Sequence, residues 1–416
     1  MTQPSTRILV LGAGIAGLFF TLRLSGKVSH KSVQITLVDE ADTFTIRPRL
    51  HEFATNQRIF SRPFSQILRK TRVQFFQGRV ISLDPGQRRI MVLNQQQQQY
   101  ELEYDYLVYA LGSMTDRQNA PGVEQYAYSL SARGPLSASA LRERLPEIEV
   151  RGGRVVVCGG GATGIETAAQ VASVYPRIKV SLVTRGGIEH TWDRSVTDIF
   201  RRRLTSLGVE ILDQSEVSAV RTQSVVLEGG RELACDLCIW TTGFVVQPLA
   251  RESGLAVNER DQVLVNPFLR TISHPRIYAI GDAAMPVENP GVSHVRMSAF
   301  TASIMAAHGA DCLSAELAGK TPKPLSFSYV AQAVALGQNN AIFLPLTPDD
   351  KPRSPYITGR PGAFTREAFV GFVVTATLAQ QRFPGMFSWV GKRRYEQQRQ
   401  RRALEEHSSQ QAHHLS

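Results

Sequence analysis

The sequence predicts an α/β protein built on two doubly wound parallel sheets, and three observations predict it. A strand, glycine loop, helix and second strand open the chain between Arg7 and Asp39. The same unit recurs from Arg154, and an internal repeat of one supersecondary unit implies two copies of one sheet architecture. The chain has 416 residues, 43% of them hydrophobic, which is enough for two or more separate cores.

The opening strand is Ile8 to Leu11, a continuous apolar run of the kind buried on both faces. Gly12, Gly14 and Gly17 follow at G-x-G-x-x-G spacing within Gly12-Ala13-Gly14-Ile15-Ala16-Gly17, and a helix carries Leu18, Leu22 and Leu24. Gly12 permits a tight turn, Gly14 lets a pyrophosphate approach the backbone, and Gly17 lets helix and strand pack closely. The helix start offers free N–H groups and the positive end of its dipole. A second apolar run, Val33 to Val38, ends on Asp39, where a carboxylate can accept both ribose hydroxyls of an adenosine. The unit therefore predicts a dinucleotide site.

Next, Phe44 to Ala54 carries Arg47, Pro48, Arg49 and His51. Either Arg49 and His51 lie beside a bound cofactor, or this is a polar loop leading to a helix near Arg62 to Arg69. Val73 to Val80, Arg89 to Leu93 and Glu101 to Leu111 read as short strands, with turns at Asp84-Pro85-Gly86 and at the glutamine run Gln95 to Gln99. Tyr104 to Gly112 is a buried strand closing on Ala110-Leu111-Gly112, and Pro121 and Gly122 mark a crossover.

From Arg154 the pattern repeats. Gly159, Gly161 and Gly164 restore the spacing, Ile165 to Val174 is a helix, and Lys179 to Thr184 is the second strand. Two such motifs imply two dinucleotides. The second unit ends Val183-Thr184-Arg185, without an acid. An acid there would repel a 2′-phosphate and an arginine would bind it, so NADPH with Arg185 on the phosphate is one reading. NADH bound without an acid clamp, with Arg185 solvated, is the other. Glu166 stands in the first turn of the second helix, where a carboxylate gains from the dipole and would face the cleft. Leu207 to Leu212 and Cys235 to Trp240 continue the second sheet, ending at Thr242-Gly243.

Cys235 and Cys238 form a C-x-x-C, but with no second pair at zinc-finger spacing they read as core residues. Positions three apart on one strand also face opposite ways. Cys158 and Cys312 are read the same way, so no metal site is expected. Four cysteines in so long a chain suit a reducing compartment, and the start runs almost directly into the first strand, which argues against a leader. No run reaches the roughly 20 apolar residues of a membrane span. A net charge of +11 suits anionic partners. In Thr271 to Ala284, Ile277 to Ile280 is a strand with Gly281-Asp282 at its carboxyl end, preceding a helix from Val295 to Ala307. Asp282 is either an N-cap or an acceptor for cofactor hydroxyls.

GAGIAG with Asp39, the YALG stretch, GGGATGIE, WTTG and YAIGDAA occur in this order. Together they resemble the two-dinucleotide-domain flavoproteins of the pyridine-nucleotide-disulfide oxidoreductase fold, over roughly residues 7 to 310. The resemblance implies a glutathione-reductase-like α/β fold of two Rossmann-like domains, the second inserted in the first, plus a C-terminal α+β region. It implies an FAD domain at 1–115 and 265–310, an NAD(P)H domain at 116–264, a C-terminal domain at 311–402 and a disordered tail at 403–416. FAD would be held by Gly12, Ala13, Gly14, Ile15, Ala16, Gly17, Asp39, Glu40, Arg49, Val80, Ala110, Leu111, Gly112, Gly281 and Asp282. NAD(P)H would be held by Gly159, Gly161, Ala162, Thr163, Gly164, Arg185 and Gly243.

No cysteine pair follows the first acid, which sets the chain apart from the disulfide reductases. It most resembles the type II NADH dehydrogenases and apoptosis-inducing-factor-like quinone reductases, a likeness to which Gly337 to Phe343 adds. In those enzymes the glutamate matched by Glu166 lies near flavin and quinone. The helix after Asp282 reads VRMSAFTASIMAA and lacks their glutamine-containing quinone motif. The expected function is hydride transfer from NADPH or NADH to FAD and then two electrons to a quinone. A reductase of a small protein such as ferredoxin, or a slow-turnover flavoprotein sensor, are the rivals. Phe383, Met386, Phe387, Trp389 and the basic run from Lys392 to Arg402 suit peripheral contact with an anionic membrane, at the inner face of a cytoplasmic location, or a homodimer contact. No nucleic-acid module accompanies the charge.

Overall fold

Each repeated unit folds into a five-stranded, all-parallel sheet; four strands share one order in space, and the fifth, at an edge, comes last along the chain in the first sheet and first in the second. These and the following features are seen in a computed structural model that describes residues 5–189, 192–287, 295–389 and 391. In the first sheet Thr6–Leu11 is central, flanked by Val33–Asp39 and then Gln74–Gln77 on one side. Tyr106–Tyr109 and then Ile277–Ala279 lie on the other. In the second sheet Arg154–Cys158 is central, with Lys179–Val183 and Glu210–Leu212 on one side and Leu237–Trp240 and Ala127–Ser129 on the other. The first sheet takes its edge strand from beyond the second, so the second unit is inserted in the first.

The central strands are buried because helices pack on one face of each sheet and an antiparallel meander on the other. Ile8, Val10 and Leu11 are fully buried, as are Val155 and Val157. Phe19, Phe20 and Leu22 of the helix Ile15–Ser25 pack into the first core, each contributing on the order of 2 kcal/mol. The long helix Ala299–Leu317 lies along Ile15–Ser25. The buried Arg23 joins them, its Nε and Nη2 donating to the two carboxylate oxygens of Asp311 at 2.7 and 2.8 Å. Its Nη1 donates to Gln380 Oε1 at 2.7 Å, which fixes the C-terminal segment to the first unit.

The duplication extends beyond the sheets. Arg79–Asp84, Arg89–Leu93 and Gln99–Glu103 form an antiparallel meander in the first unit, and Val217–Arg221, Ser224–Leu227 and Glu232–Ala234 form one in the second. The glutamine run lies at the hairpin turn, as expected, with Gln99 already in the strand. A third antiparallel sheet, Ala331–Ala335, Ala341–Pro345 and Ile357–Thr358, leads into the helix Gly359–Ala379.

Three local expectations are corrected. The helix after Asp282 starts at Ala299 and runs to Leu317, because Ser298 caps it by accepting from the Thr301 amide at 3.2 Å. The helix expected at 62–69 shrinks to Phe64–Ile67 and a following 3-10 turn, because Ser61–Pro63 pairs as a strand with Thr43–Thr45. Cys235 precedes its strand, so it shares one core with Cys238 and Cys158 and does not face the opposite way. All four cysteines are free and buried. The basic run from Lys392 and the tail 403–416 lie outside the described residues.

Candidate functional site

The first glycine loop has the geometry that its spacing demands. Gly12 takes φ +92°, and a Cβ there would run into the Ala110 carbonyl. A Cβ on Gly17 would collide with the Gly12 carbonyl, so the helix can approach the strand only with glycine in place. At Gly14, which caps the helix, a Cβ would meet nothing within 4 Å. Asp39 closes the loop: its Oδ2 accepts the Ala13 amide at 2.6 Å and its Oδ1 the Ala41 amide at 2.7 Å. A carboxylate offers about four acceptor positions, so two remain for ribose hydroxyls. Glu40 is exposed beside it.

Asp282 reaches the same end of the sheet from the far side. Its Oδ2 accepts from Ser113 Oγ at 2.7 Å, while its buried Oδ1 has no hydrogen-bond partner. Burial pushes its carboxyl above the usual range, against the Ser113 hydroxyl and the nearby Arg47 charge. Gly281 and Gly112 both take positive φ, +71° and +70°, and a Cβ on Gly112 would stand 3.8 Å from Arg47 Nη1. Ala110 is buried and Leu111 half-buried along this edge, and Val80 is buried at the start of the meander. An orphaned acceptor, a cation and two glycine turns form a cradle suited to the hydroxyl-rich, phosphorylated chain of a flavin dinucleotide. No motif marks Ser113, and Arg47, though it stands out in the stretch Phe44 to Ala54, carries no sequence signal for a role in this cradle.

The second loop repeats the first. Gly159 takes φ +127°, its amide donating to Val183 O at 2.8 Å, and a Cβ on Gly164 would collide with the Gly159 carbonyl. Ala162 and Thr163 begin the helix Ala162–Val174. Gly243 takes φ +70° with Asp116 and Asn119 against it. Thr184 stands where Asp39 stands in the first unit, and its hydroxyl donates to Gly187 O at 2.9 Å. Arg185 is exposed, with Nη1 3.4 Å from Glu216 Oε1, a loose surface pair.

Arg49, His51 and Glu166 meet in a buried charge cluster that no local motif announces. Glu52 is its centre: Arg366 Nη2, from the C-terminal helix, lies 2.7 Å from Oε1, and Arg49 donates to Oε2. Arg49 Nη1 also reaches Glu367 at 2.9 Å. His51 sits between Glu52 and Glu166, 3.6 and 3.9 Å away. Glu166 Oε1 accepts the Ala335 amide at 2.9 Å and lies 4.0 Å from Arg366. Burial drives the His51 pKa down, against the pull of Glu166 and Glu52, so the ring is neutral. Burial raises the Glu52 carboxyl, but the Arg366 and Arg49 guanidiniums outweigh it and hold the group below its usual range. The cluster joins the Leu50–Ala54 helix, the second glycine helix and the C-terminal helix at one point. Arg49 therefore enters the site as a partner of Glu52 and Glu367.

Among the described residues there is no His/Cys/Asp/Glu group able to hold a metal and no helix long and apolar enough to cross a membrane. The C-terminal helix and the loop after it do expose Phe364 (78%), Phe372, Phe383 and Met386.

The comparison with known proteins agrees with this geometry. Residues 6–310 match the pyridine nucleotide-disulphide oxidoreductase family. The demethylphylloquinone reductase NdbB of Synechocystis is 28% identical over 361 residues, 82% of this chain and 87% of that protein. A probable NADH dehydrogenase of Dictyostelium discoideum is 24% identical over 367 residues, 81% and 80% of the two chains. Among solved structures, NDH2 of Plasmodium falciparum in complex with NADH shares the fold at a TM-score of 0.78 and 17% identity, covering 91% of this chain and 97% of that one. The chain belongs to the pyridine nucleotide-disulphide oxidoreductase family.

Proposed function

We propose that the chain is an NAD(P)H:quinone oxidoreductase of the type II NADH dehydrogenase kind. The observation that carries this is the duplication: two glycine loops, each at the carboxyl end of its own parallel sheet. The first unit, 1–115 with 265–310, is read as the FAD domain, and 116–264 as the NAD(P)H domain. Gly12, Gly14 and Gly17 admit the diphosphate, Asp39 accepts the adenosine ribose, and Asp282 Oδ1 accepts from the flavin's side chain. Bound there, FAD supplies the two-electron relay between a hydride donor and the acceptor.

The quinone assignment draws on the relatives, one of which is named a demethylphylloquinone reductase. It also draws on the cysteines, all four of which are free and buried, with no pair placed as a redox disulfide. Glu166, held by the Ala335 amide beside His51 and Arg366, is the residue read as assisting protonation of the quinone at the reactive face. The absence of an acid at Thr184 supports the lean to NADPH, with Arg185 free to leave its loose pair for a 2′-phosphate. The exposed Phe364, Phe372, Phe383 and Met386 are read as the face that meets a lipid surface, where a quinone would be found.

The test is anaerobic. NADPH or NADH should bleach the flavin absorbance of the purified protein, and a short-chain quinone should restore it. Restoration by an oxidised ferredoxin-type protein alone, with none by quinone, would overturn the reading.

A further inference from the structure

The two glycine loops are near copies, so the differences between them can be read directly, and one lies over the helix end. Over Gly14 there is open space. Over Gly161, its counterpart, the atom within reach of a Cβ is Glu189 Oε1, at 4.0 Å. A carboxylate thus stands at the mouth of the second loop, where the repeat places a diphosphate.

The chain goes out of its way to put it there. Glu189 follows the turn in which Thr184 Oγ1 bonds Gly187, and its amide donates to Gly160 O at 2.9 Å. Its backbone takes φ +38°, a region that residues with a side chain seldom adopt and that is often held at functional sites. The Ala162 amide, at the positive end of the helix, faces the half-buried carboxylate, and the Arg296 charge lies near enough to favour it. Glu166 and Asp350 lie near enough to oppose its charge. Asp350 pairs with Arg296 at 3.3 Å and Glu166 is held by the Ala335 amide, so both have other cationic or N–H partners. Arg201 and Asp213 pair at 2.5 Å behind Gly187, on the far side of the turn.

We propose that Glu189 is an electrostatic gate on the nicotinamide dinucleotide's site: its ionised carboxylate occupies the helix end that the diphosphate needs, and binding takes up one proton to neutralise it. The gate rests on the reading of the second unit as the NAD(P)H site. Burial, set against the Ala162 amide and Arg296, moves the carboxyl up to about 7. Below that pH the group is neutral and the loop is open. Above it, each dinucleotide that binds draws a proton from solvent, so affinity falls by up to about tenfold per pH unit. The consequence is a reductase whose affinity for its reduced dinucleotide follows pH through the neutral range.

The probe is ADP-ribose, which carries the diphosphate, cannot transfer hydride and has no phosphate monoester to titrate. Binding to the flavin-loaded full chain is measured calorimetrically from pH 6 to 9, in buffers of different ionisation enthalpy. At pH 8.5 the natural protein should take up close to one proton, and its affinity should fall about tenfold between pH 7.5 and 8.5. Glu189→Gln should take up none, bind with a flat pH profile, and at pH 8.5 bind at least about fivefold tighter. Flavin absorbance reports that the variant is folded, and Glu189→Leu removes the charge without an amide. No proton uptake by the natural protein, or weaker binding by both variants at every pH, would overturn the gate. Failure of ADP-ribose and NADH to bind at any pH would overturn the assignment of the second site itself.

Discussion

Arg366→Met tests whether the C-terminal helix is locked to both dinucleotide units by charge. Arg366 and Glu52 are 7% and 4% exposed, and Nη2 stands 2.7 Å from Oε1. Removing one partner of a buried pair costs about 3–5 kcal/mol, because the other charge is left uncompensated. Glu52 would keep Arg49, and Glu166 would keep the Ala335 amide, so the lower end, about 3 kcal/mol, is expected. The sign with pH follows from Glu52. Its folded carboxyl is held below the ordinary value, so its stabilisation is present above that value and is lost as pH falls through the folded one. The loss in Arg366→Met should therefore be smaller at pH 5 than at pH 7, and the double variant Glu52→Gln/Arg366→Met should recover more than half of it. Urea unfolding of the flavin-loaded protein at pH 7 and pH 5 measures all four corners of the cycle. A single variant within about 0.5 kcal/mol of the natural protein, or strictly additive losses, would refute the argument.

Four further outcomes are expected. Asp282→Asn should weaken flavin retention by about 1.5–3 kcal/mol, roughly tenfold to 150-fold, read from released flavin on dilution. Gly17→Ala should yield flavin-free protein, destabilised by about 1–3 kcal/mol or more, since its Cβ collides with the Gly12 carbonyl. His308 is buried with its pKa pushed down to about 4 by burial, so unfolding takes up a proton below the ordinary imidazole value and stability falls as pH drops. His308→Gln should therefore flatten the stability profile between pH 7 and 5.5 by about 1.2 kcal/mol. Glu166→Gln should slow turnover with quinone while flavin stays bound, and unchanged rates would remove Glu166 from the reactive face.

The fold was legible where backbone chemistry is local. Gly12, Gly17, Gly159 and Gly164 each occupy a position where a Cβ would strike a carbonyl or a side chain, and such positions announce themselves as spacing. Continuous apolar runs located the buried parallel strands for the same reason. What stayed hidden is what only tertiary contact creates. Arg366 lies 314 residues from Glu52 in sequence, and nothing in an apolar helix marks it as the counter-ion of a carboxylate near the start. Glu189 was likewise silent, because its position over Gly161 depends on a turn that folds back on the loop. The late start of the helix at Ala299 shows the limit of apolar pattern alone: Val295 and Met297 extend the run, but the Ser298 cap decides the boundary.

The most direct measurement of the central claim is steady-state oxidation of NADPH and NADH by the flavin-loaded chain, with and without a short-chain quinone. Two dinucleotide sites feeding a quinone predict fast oxidation only when quinone is present, with one quinol formed per NAD(P)H consumed. Oxidation that stays slow in the presence of quinone, with a long-lived reduced complex, would contradict it.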